Sequence, residues 1–182
     1  MKTEAAKTAR MVKEALKECF PGIVFSVKSK NYSGGNSVTA YWTDGPTSGL
    51  VDVAINRFQA GDFDGMTDCY NFRKERPDHP TARYVFATRT VSKSLAEYTL
   101  NYLKNVMRWD EFIDSPLSIV ERWSDWSKSF VWEFDPATDG PTKSGNGYKS
   151  QEVMRFASRI AVNAKGEYVR DPNFFYWERE VL

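Results

Sequence analysis

Few residues in this sequence have the types and spacing that chemistry requires. His79 is the single histidine, and it lies between Asp78 and Pro80 in a stretch without helical or strand periodicity. A Ser–His–Asp triad would have to use it, and a loop histidine does not fit the geometric demands of a triad. Cys19 and Cys69 with one histidine cannot supply the three or four nitrogen or sulfur ligands of a zinc site.

Close pairs of carboxylates exist, among them Asp62 with Asp64 and Asp110 with Glu111. General acid–base chemistry needs a desolvated or paired carboxylate, whereas these pairs lie in polar stretches typical of solvated loops. A calcium loop is the alternative at Asp62 and Asp64, but its pattern places glycine at the sixth position, and Gly65 comes too early. We therefore predict a non-enzymatic protein with no catalytic residues, no cofactor and no metal.

A glycine pair, Gly34 and Gly35, is the remaining candidate for chemistry, because glycine-rich loops cradle phosphates. A phosphate loop places its glycines between a strand and the N-terminus of a helix. Here two alternating runs flank the pair, "IVFSVKSK" at 23–30 and "VTAYWT" at 38–43. The segment is therefore predicted to be an antiparallel hairpin whose glycines adopt positive φ.

Composition limits the class of protein. The 182 residues carry 25 basic and 24 acidic side chains, for a formal net charge of +1. Duplex-binding proteins usually show a basic excess, because phosphate neutralisation drives their affinity. The chain is 15% aromatic with six tryptophans, which favours a thick core and surface anchors. Neither a signal peptide nor a run of transmembrane length is evident, so we expect a soluble, cytoplasmic protein that binds no membrane.

Hydrophobic periodicity predicts the elements that would position these residues. The first half is expected to contain helices at 3–19, 46–61 and 92–109, and strands at 23–30, 38–43 and 83–91. Cys19 falls on the apolar stripe of the first helix and is expected to be buried. Residues 62–81 are predicted to form a long loop with Phe63 and Met66 in the core.

The second half has a different pattern. Ser115 and Pro116 are a helix-start signal. A helix is predicted after them, with an aromatic stripe that is either core or an exposed platform; its members are Ile119, Trp123, Trp126 and Phe130. Residues 135–150 are predicted to be a loop. The segment 151–171 is expected to be a helix that leads into a short hairpin turning at 164–166.

The predicted fold class is α+β. A small antiparallel sheet packs against helices in α-β-β-α-β-α order in the N-terminal half, and a helix-rich, Trp-rich extension follows. Residues 1–91 are expected to form the α+β region. Residues 92–182 are expected to form a helical and hairpin extension packed on it, so that the chain is one compact unit.

Several short strings in the first half resemble a known family in their order and spacing. They are "FPG" at 20–22, "FSV" at 25–27, "YSGG" at 32–35, "WTDGP" at 42–46 and "FDGM" at 63–66. The region of about 5–91 resembles large polyvalent protein-associated domain 29, which occurs in giant multidomain proteins of bacteriophages and conjugative elements and in small stand-alone proteins of the same elements. The resemblance implies a mobile-element context and no established catalytic residues.

The expected function is that of a non-enzymatic accessory protein of a phage or mobile element. It would bind a host macromolecule, a host protein above all, and inhibit host defence in the manner of an anti-CRISPR or anti-restriction protein. Interface anchors are typically Trp, Tyr and Arg. The candidate binding residues are therefore Trp109, Trp123, Trp126 and Trp132.

The alternative is a nucleic-acid-binding module for single-stranded or structured DNA or RNA. A sheet face with aromatic and basic side chains can stack bases while lysines follow the phosphates. The candidate face comprises Lys28, Lys30, Tyr32, Tyr41 and Arg89.

Overall fold

The structure, a computed structural model, describes residues 3–73, 79–106, 108, 112, 117–127, 129–142 and 147–170. Its helices are α1 (Glu4–Cys19), α2 (Ser48–Ile55), α3 (Lys93–Asn105) and α4 (Lys149–Ala157). Its strands are β1 (Ser26–Tyr32), β2 (Gly35–Thr43), β3 (Gly61–Asp64), β4 (Cys69–Phe72), β5 (Tyr84–Thr90), β6 (Ile119–Ser124), β7 (Ser129–Phe134), β8 (Ile160–Val162) and β9 (Tyr168–Arg170). Two units can be separated: the first holds the described residues up to Thr90 with Ala161–Val169, and the second holds those of Val91–Ile160 with Arg170.

Helix α1 begins where the hydroxyl of Thr3 accepts a hydrogen bond from the backbone N–H of Ala6. One stripe of the helix is buried, and it includes Val12 and Leu16. Cys19 is exposed, so the expectation that it is buried was wrong. Cys19 continues the stripe in the last turn of α1, but the buried part of the stripe ends at Leu16.

Strands β1, β2 and β5 form a mixed sheet in that order. β1 and β2 make the predicted antiparallel hairpin, in which Tyr32 pairs with Gly35. Gly35 has φ +142°, which favours glycine, whereas Gly34 is not among the positive-φ glycines. β5 pairs with β2 in parallel, because the chain between them crosses over through α2.

The inner face of this sheet carries the core of the first unit. Val38, Ala40 and Trp42 of β2 are at most 4% exposed. They share one core cluster with Val12 and Leu16 of α1 and with Val51 and Ile55 of α2. Burial of each large apolar side chain contributes about 1.5–3 kcal/mol. The sheet is therefore held by its inner face.

Residues 61–72 form a hairpin, not the predicted long loop. β3 and β4 pair antiparallel, and the Asp64 carboxylate accepts hydrogen bonds from the Met66 N–H and the Thr67 hydroxyl, both at 2.9 Å. Phe63 and Met66 were expected in the core. Phe63 is 55% exposed and Met66 is 95% exposed, so that expectation was wrong. Gly61 begins β3 and does not close α2, which ends at Ile55.

The second unit also departs from the prediction. α3 begins at the cap Ser92, and α3 and α4 pack together through a cluster that includes Leu103 and Val153. Residues 119–134 form the β6–β7 hairpin where a helix was predicted. The helix-rich, Trp-rich extension is therefore not supported, although the α+β class is confirmed. The expected helix leading into a short hairpin is present as α4, β8 and β9.

The helix-start signal at 115–116 and the predicted loop residues 143–146 lie outside the described residues. Within the described part of the chain, no helix is both long enough and apolar enough to cross a membrane.

The backbone of β4 limits what residue 61 can be. A Cβ added at Gly61 would lie 2.1 Å from the carbonyl oxygen of Asn71, whereas one added at Gly65 would meet nothing within 4 Å. We expect Gly61→Ala to lower the free energy of unfolding by about 1–3 kcal/mol, since backbone atoms must move. Urea denaturation monitored by tryptophan fluorescence measures this loss.

Gly65→Ala is the matched control in the same hairpin, and its expected change is within about 0.5 kcal/mol. Equal stability of the two variants would contradict the pairing of β3 with β4.

Candidate nucleic-acid interface

The side of the β1–β2–β5 sheet that faces away from α1 and α2 is exposed, and we call it the open face. Side chains alternate along a strand, so the pairing register decides which residues share this side. Its members are Ser26, Lys28, Lys30, Tyr32, Ser37, Thr39, Tyr41, Tyr84, Phe86 and Thr88. Tyr32 and Tyr41 are each 41% exposed and Phe86 is 49% exposed.

The charge on the open face has one sign. β1, β2 and β5 contain no Asp and no Glu, and Lys28 and Lys30 both project from β1. The Lys28 ammonium lies 5.6 Å from the centroid of the Tyr41 ring, within the range of a cation–π interaction. The face thus combines rings and cations, the two groups that single-stranded nucleic acids require.

Aromatic rings continue from the open face onto the β3–β4 hairpin. Ring centroids are 6.0 Å apart for Phe86 and Tyr84, 5.6 Å for Tyr84 and Tyr70, and 4.7 Å for Tyr70 and Phe72. The Tyr84 and Phe86 planes are within 10° of parallel. We call these four residues the aromatic ladder.

Contacts with Arg83 position two rings of the aromatic ladder, Tyr70 and Tyr84. The Arg83 guanidinium lies 4.9 Å from the centroid of Tyr70 and 5.7 Å from that of Tyr84. The Tyr70 hydroxyl donates a hydrogen bond to the backbone carbonyl of Arg83, and the Arg83 side chain donates to the carbonyl of Gly34. Burial raises the pKa of Tyr70, and the charges of Tyr84 and Asp62 raise it further.

The acidic pair of the sequence points away from the rings. Asp62 and Asp64 alternate with Phe63 on β3, so the carboxylates and the ring lie on opposite sides of the hairpin. Asp62 forms an exposed ion pair with Arg73 at 3.0 Å. Among the described residues, no three His, Cys, Asp or Glu side chains gather as they would around a metal ion.

Four of the five residues predicted for a nucleic-acid face lie together on the open face: Lys28, Lys30, Tyr32 and Tyr41. Arg89 lies on the inner face, opposite Trp42 in the register, and it donates to the carbonyls of Asp44 and Gly45. Burial lowers the pKa of Arg89, and Asp44 partly offsets this effect.

The rings of the aromatic ladder were missing from the predicted face. Tyr84 and Phe86 could have been found, because they alternate with the apolar Val85 in "YVFATR". Tyr70 and Phe72 alternate in the same way, but in a stretch that the sequence suggested was a loop.

The predicted tryptophan site occupies a hairpin of the second unit and not a helix. Trp123 and Trp132 lie on one side of β6–β7, with 53% of Trp123 exposed. Trp126 lies in the turn between the strands and is 96% exposed. Trp109 lies outside the described residues.

Residues 3–92 match a family model, the large polyvalent protein associated domain 29. This region, just under half of the 182 residues, is similar to that family. The match confirms the expected resemblance. The matched region contains the open face and the aromatic ladder, but not the tryptophan hairpin. Comparisons with curated proteins and with solved structures give no match.

The hydrogen bond from the Tyr70 hydroxyl makes a testable contribution to the stability of the first unit. We expect Tyr70→Phe to lower the free energy of unfolding by about 0.5–1.5 kcal/mol at pH 7, because the carbonyl of Arg83 loses its donor. The folded-state pKa of Tyr70 is raised, so this contribution is fully present below about pH 10, the pKa in the unfolded chain. It is lost as the pH rises through the raised folded-state pKa.

Urea unfolding of the wild type and Tyr70→Phe between pH 7 and the alkaline limit of folding measures the difference. Tyr41→Phe is the control, since its ring lies on the open face, and its expected change is within about 0.5 kcal/mol. If the loss of unfolding free energy caused by Tyr70→Phe became larger at alkaline pH, that result would contradict the assigned hydrogen bond.

Proposed function

We propose that this protein is a non-enzymatic accessory protein of a phage or conjugative element that binds single-stranded DNA or RNA in the bacterial cytoplasm. The observation that supports this best is the open face. It carries exposed rings and two lysines without a carboxylate, while the opposite face of the same sheet carries the buried Val38, Ala40 and Trp42. Exposed rings on a sheet are the means by which single-strand binders stack bases.

The ladder and the lysines are placed to contact different parts of one nucleic-acid strand. Tyr84 and Phe86 project from β5, and Lys28 and Lys30 project from β1, with β2 between them. Neighbouring strands lie about 4.8 Å apart, so the backbones of β1 and β5 are roughly 10 Å apart across the face. Bases can stack on one side of the face while phosphates lie near the other.

A formal net charge of +1 is compatible with this function. The charge that a ligand meets is local, and carboxylates elsewhere on the surface are screened within about 10 Å at ordinary salt. Two lysines neutralise about two phosphates, which corresponds to a slope of log K against log salt near −1.4 for single strands. Stacking therefore has to provide most of the affinity.

Loss of one ring from the ladder tests the proposed stacking. We expect Phe86→Leu to weaken binding of a fluorescein-labelled 12-nucleotide dT or rU strand by roughly 5- to 150-fold, since stacking is worth about 1–3 kcal/mol per base. Leu keeps the apolar bulk but has no ring. Lys28→Gln with Lys30→Gln should instead flatten the salt dependence of binding toward zero. Fluorescence anisotropy titrations at several salt concentrations measure both effects.

Trp126→Leu is the matched control, an exposed ring in the second unit, and it should bind as the wild type does. Circular dichroism verifies that each variant is folded. Wild-type levels of binding by Phe86→Leu and by the double lysine variant together would refute the role of the open face.

A second candidate function is binding of a host protein through the tryptophan hairpin, in the service of inhibiting host defence. Trp126 favours it, because a ring that is 96% exposed in a turn is available as an interface anchor. Inhibition of CRISPR or restriction systems is the form expected in a mobile-element context.

Plating of a restricted or CRISPR-targeted phage on cells that express the protein measures such inhibition. If the hairpin is the interface, Trp126→Ala should reduce protection at least tenfold, since anchor residues contribute about 2 kcal/mol or more. Phe86→Leu is the control and should protect fully. Protection lost by Phe86→Leu and kept by Trp126→Ala would instead assign the effect to the open face.

A further inference from the structure

A groove of about 580 Å³ lies at the end of the sheet where β1 begins and β2 ends. This volume falls within the range of small-molecule sites, about 300–1,000 Å³. Its walls come from Thr90, at the end of β5, and from residues within three further segments of the first unit: 22–26, 41–45 and 162–166. The backbone N–H of Val162 donates to the carbonyl of Gly45 at 2.7 Å, which fixes the third segment against the second.

The groove continues the open face. Ser26 and Tyr41 belong to both, because they form the pair of residues at this end of β1 and β2. Tyr41 lies diagonally across from Phe86, the last ring of the aromatic ladder, and diagonal neighbours in a sheet are about 7–8 Å apart. A strand that follows the rings past Phe86 and Tyr41 therefore arrives at the groove.

The lining of the groove suits a base better than a phosphate. Ile23 and the 87%-exposed Val24 provide apolar surface. Of the described residues that line it, Asp44 is the one that is charged at neutral pH. A carboxylate repels phosphate but accepts hydrogen bonds from the exocyclic amino groups of bases. Its two oxygens offer about four acceptor sites, so a base can be added to its existing interactions.

We propose that the groove receives one base of the bound single strand, and that Asp44 makes it prefer a base with an exocyclic amino group. This inference rests on the proposed binding of single strands to the open face. Comparing cytosine with thymine separates the effect of base size from that of the amino group, because the two bases are similar in size and only cytosine carries the amino group. The groove is thus a specificity site, and the aromatic ladder binds bases of any sequence.

Asp44→Asn is the direct test. Asp44 has φ +53°, a conformation that Asn also tolerates, so the substitution keeps the backbone and removes the charge. Anisotropy titrations compare 12-nucleotide dC and dT strands at pH 7.5. We expect the wild type to bind dC about tenfold more tightly than dT. Asp44→Asn should reduce that ratio to below about twofold while leaving the affinity for dT unchanged.

Val24→Glu places a second carboxylate at the exposed rim of the groove, where it repels the phosphates that flank the entering base. The base is then kept away from Asp44, so the preference for dC should also be lost. Val53→Glu is its matched control, because Val53 is 82% exposed on α2, outside the groove. Equal ratios of dC affinity to dT affinity in the wild type, Asp44→Asn and Val24→Glu would refute the proposed base site in the groove. The proposed binding of single strands to the open face would still hold, provided that Phe86→Leu weakens dT binding. Failure of the wild type to bind either strand would overturn both proposals.

Discussion

The fold of the first unit depends on one-sided burial of a three-stranded sheet. Val38, Ala40 and Trp42 are at most 4% exposed on the inner face, whereas Tyr41, between two of them in sequence, is 41% exposed. A strand cannot bury both sides when helices cover only one, because successive side chains point in opposite directions. The apolar packing that stabilises the sheet therefore also leaves an ordered array of rings and lysines in water.

The same alternation separates charge from aromatic surface. On β3, Phe63 lies between Asp62 and Asp64 in sequence and points to the other side of the hairpin. The Asp62 carboxylate forms an ion pair with Arg73, and the Asp64 carboxylate accepts a hydrogen bond from the Met66 N–H in the turn. The total charge of a chain is consequently a poor guide to the charge that a ligand meets on one face.

The long periodic elements of the first half were predictable from the sequence, whereas the β3–β4 and β6–β7 hairpins were not. α1 extends over sixteen residues and the β1–β2 hairpin has clear alternation, so both stood out. β3 and β4 have four residues each, too few for a periodic signal. In β6–β7, the spacing of Ile119, Trp123 and Trp126 imitates a helix, because a strand and its turn also bring large side chains three or four residues apart.

The candidate site shows where prediction from sequence needs the pairing register of the strands to decide which side chains are buried. Alternation alone divides β5 into Tyr84, Phe86 and Thr88 on one side and Val85, Ala87 and Arg89 on the other, but it does not say which side is buried. Pairing of Val85 with Val38, which is fully buried, decides the question. The inclusion of Arg89 in the predicted face was wrong for this reason.

The string "WTDGP" illustrates how one motif can specify both the fold and a surface. Trp42 fills the core, and its indole N–H donates to the carbonyl of Pro46 at 2.9 Å. That bond closes a turn in which Asp44 and Gly45 both have φ +53°. A Cβ at Gly45 would approach Ile23 and Trp42 to 3.1 Å, so glycine permits the close packing that the turn requires. The turn that ends β2 thereby places Asp44 at the edge of the open face, and core packing sets the position of a charge that a ligand would meet.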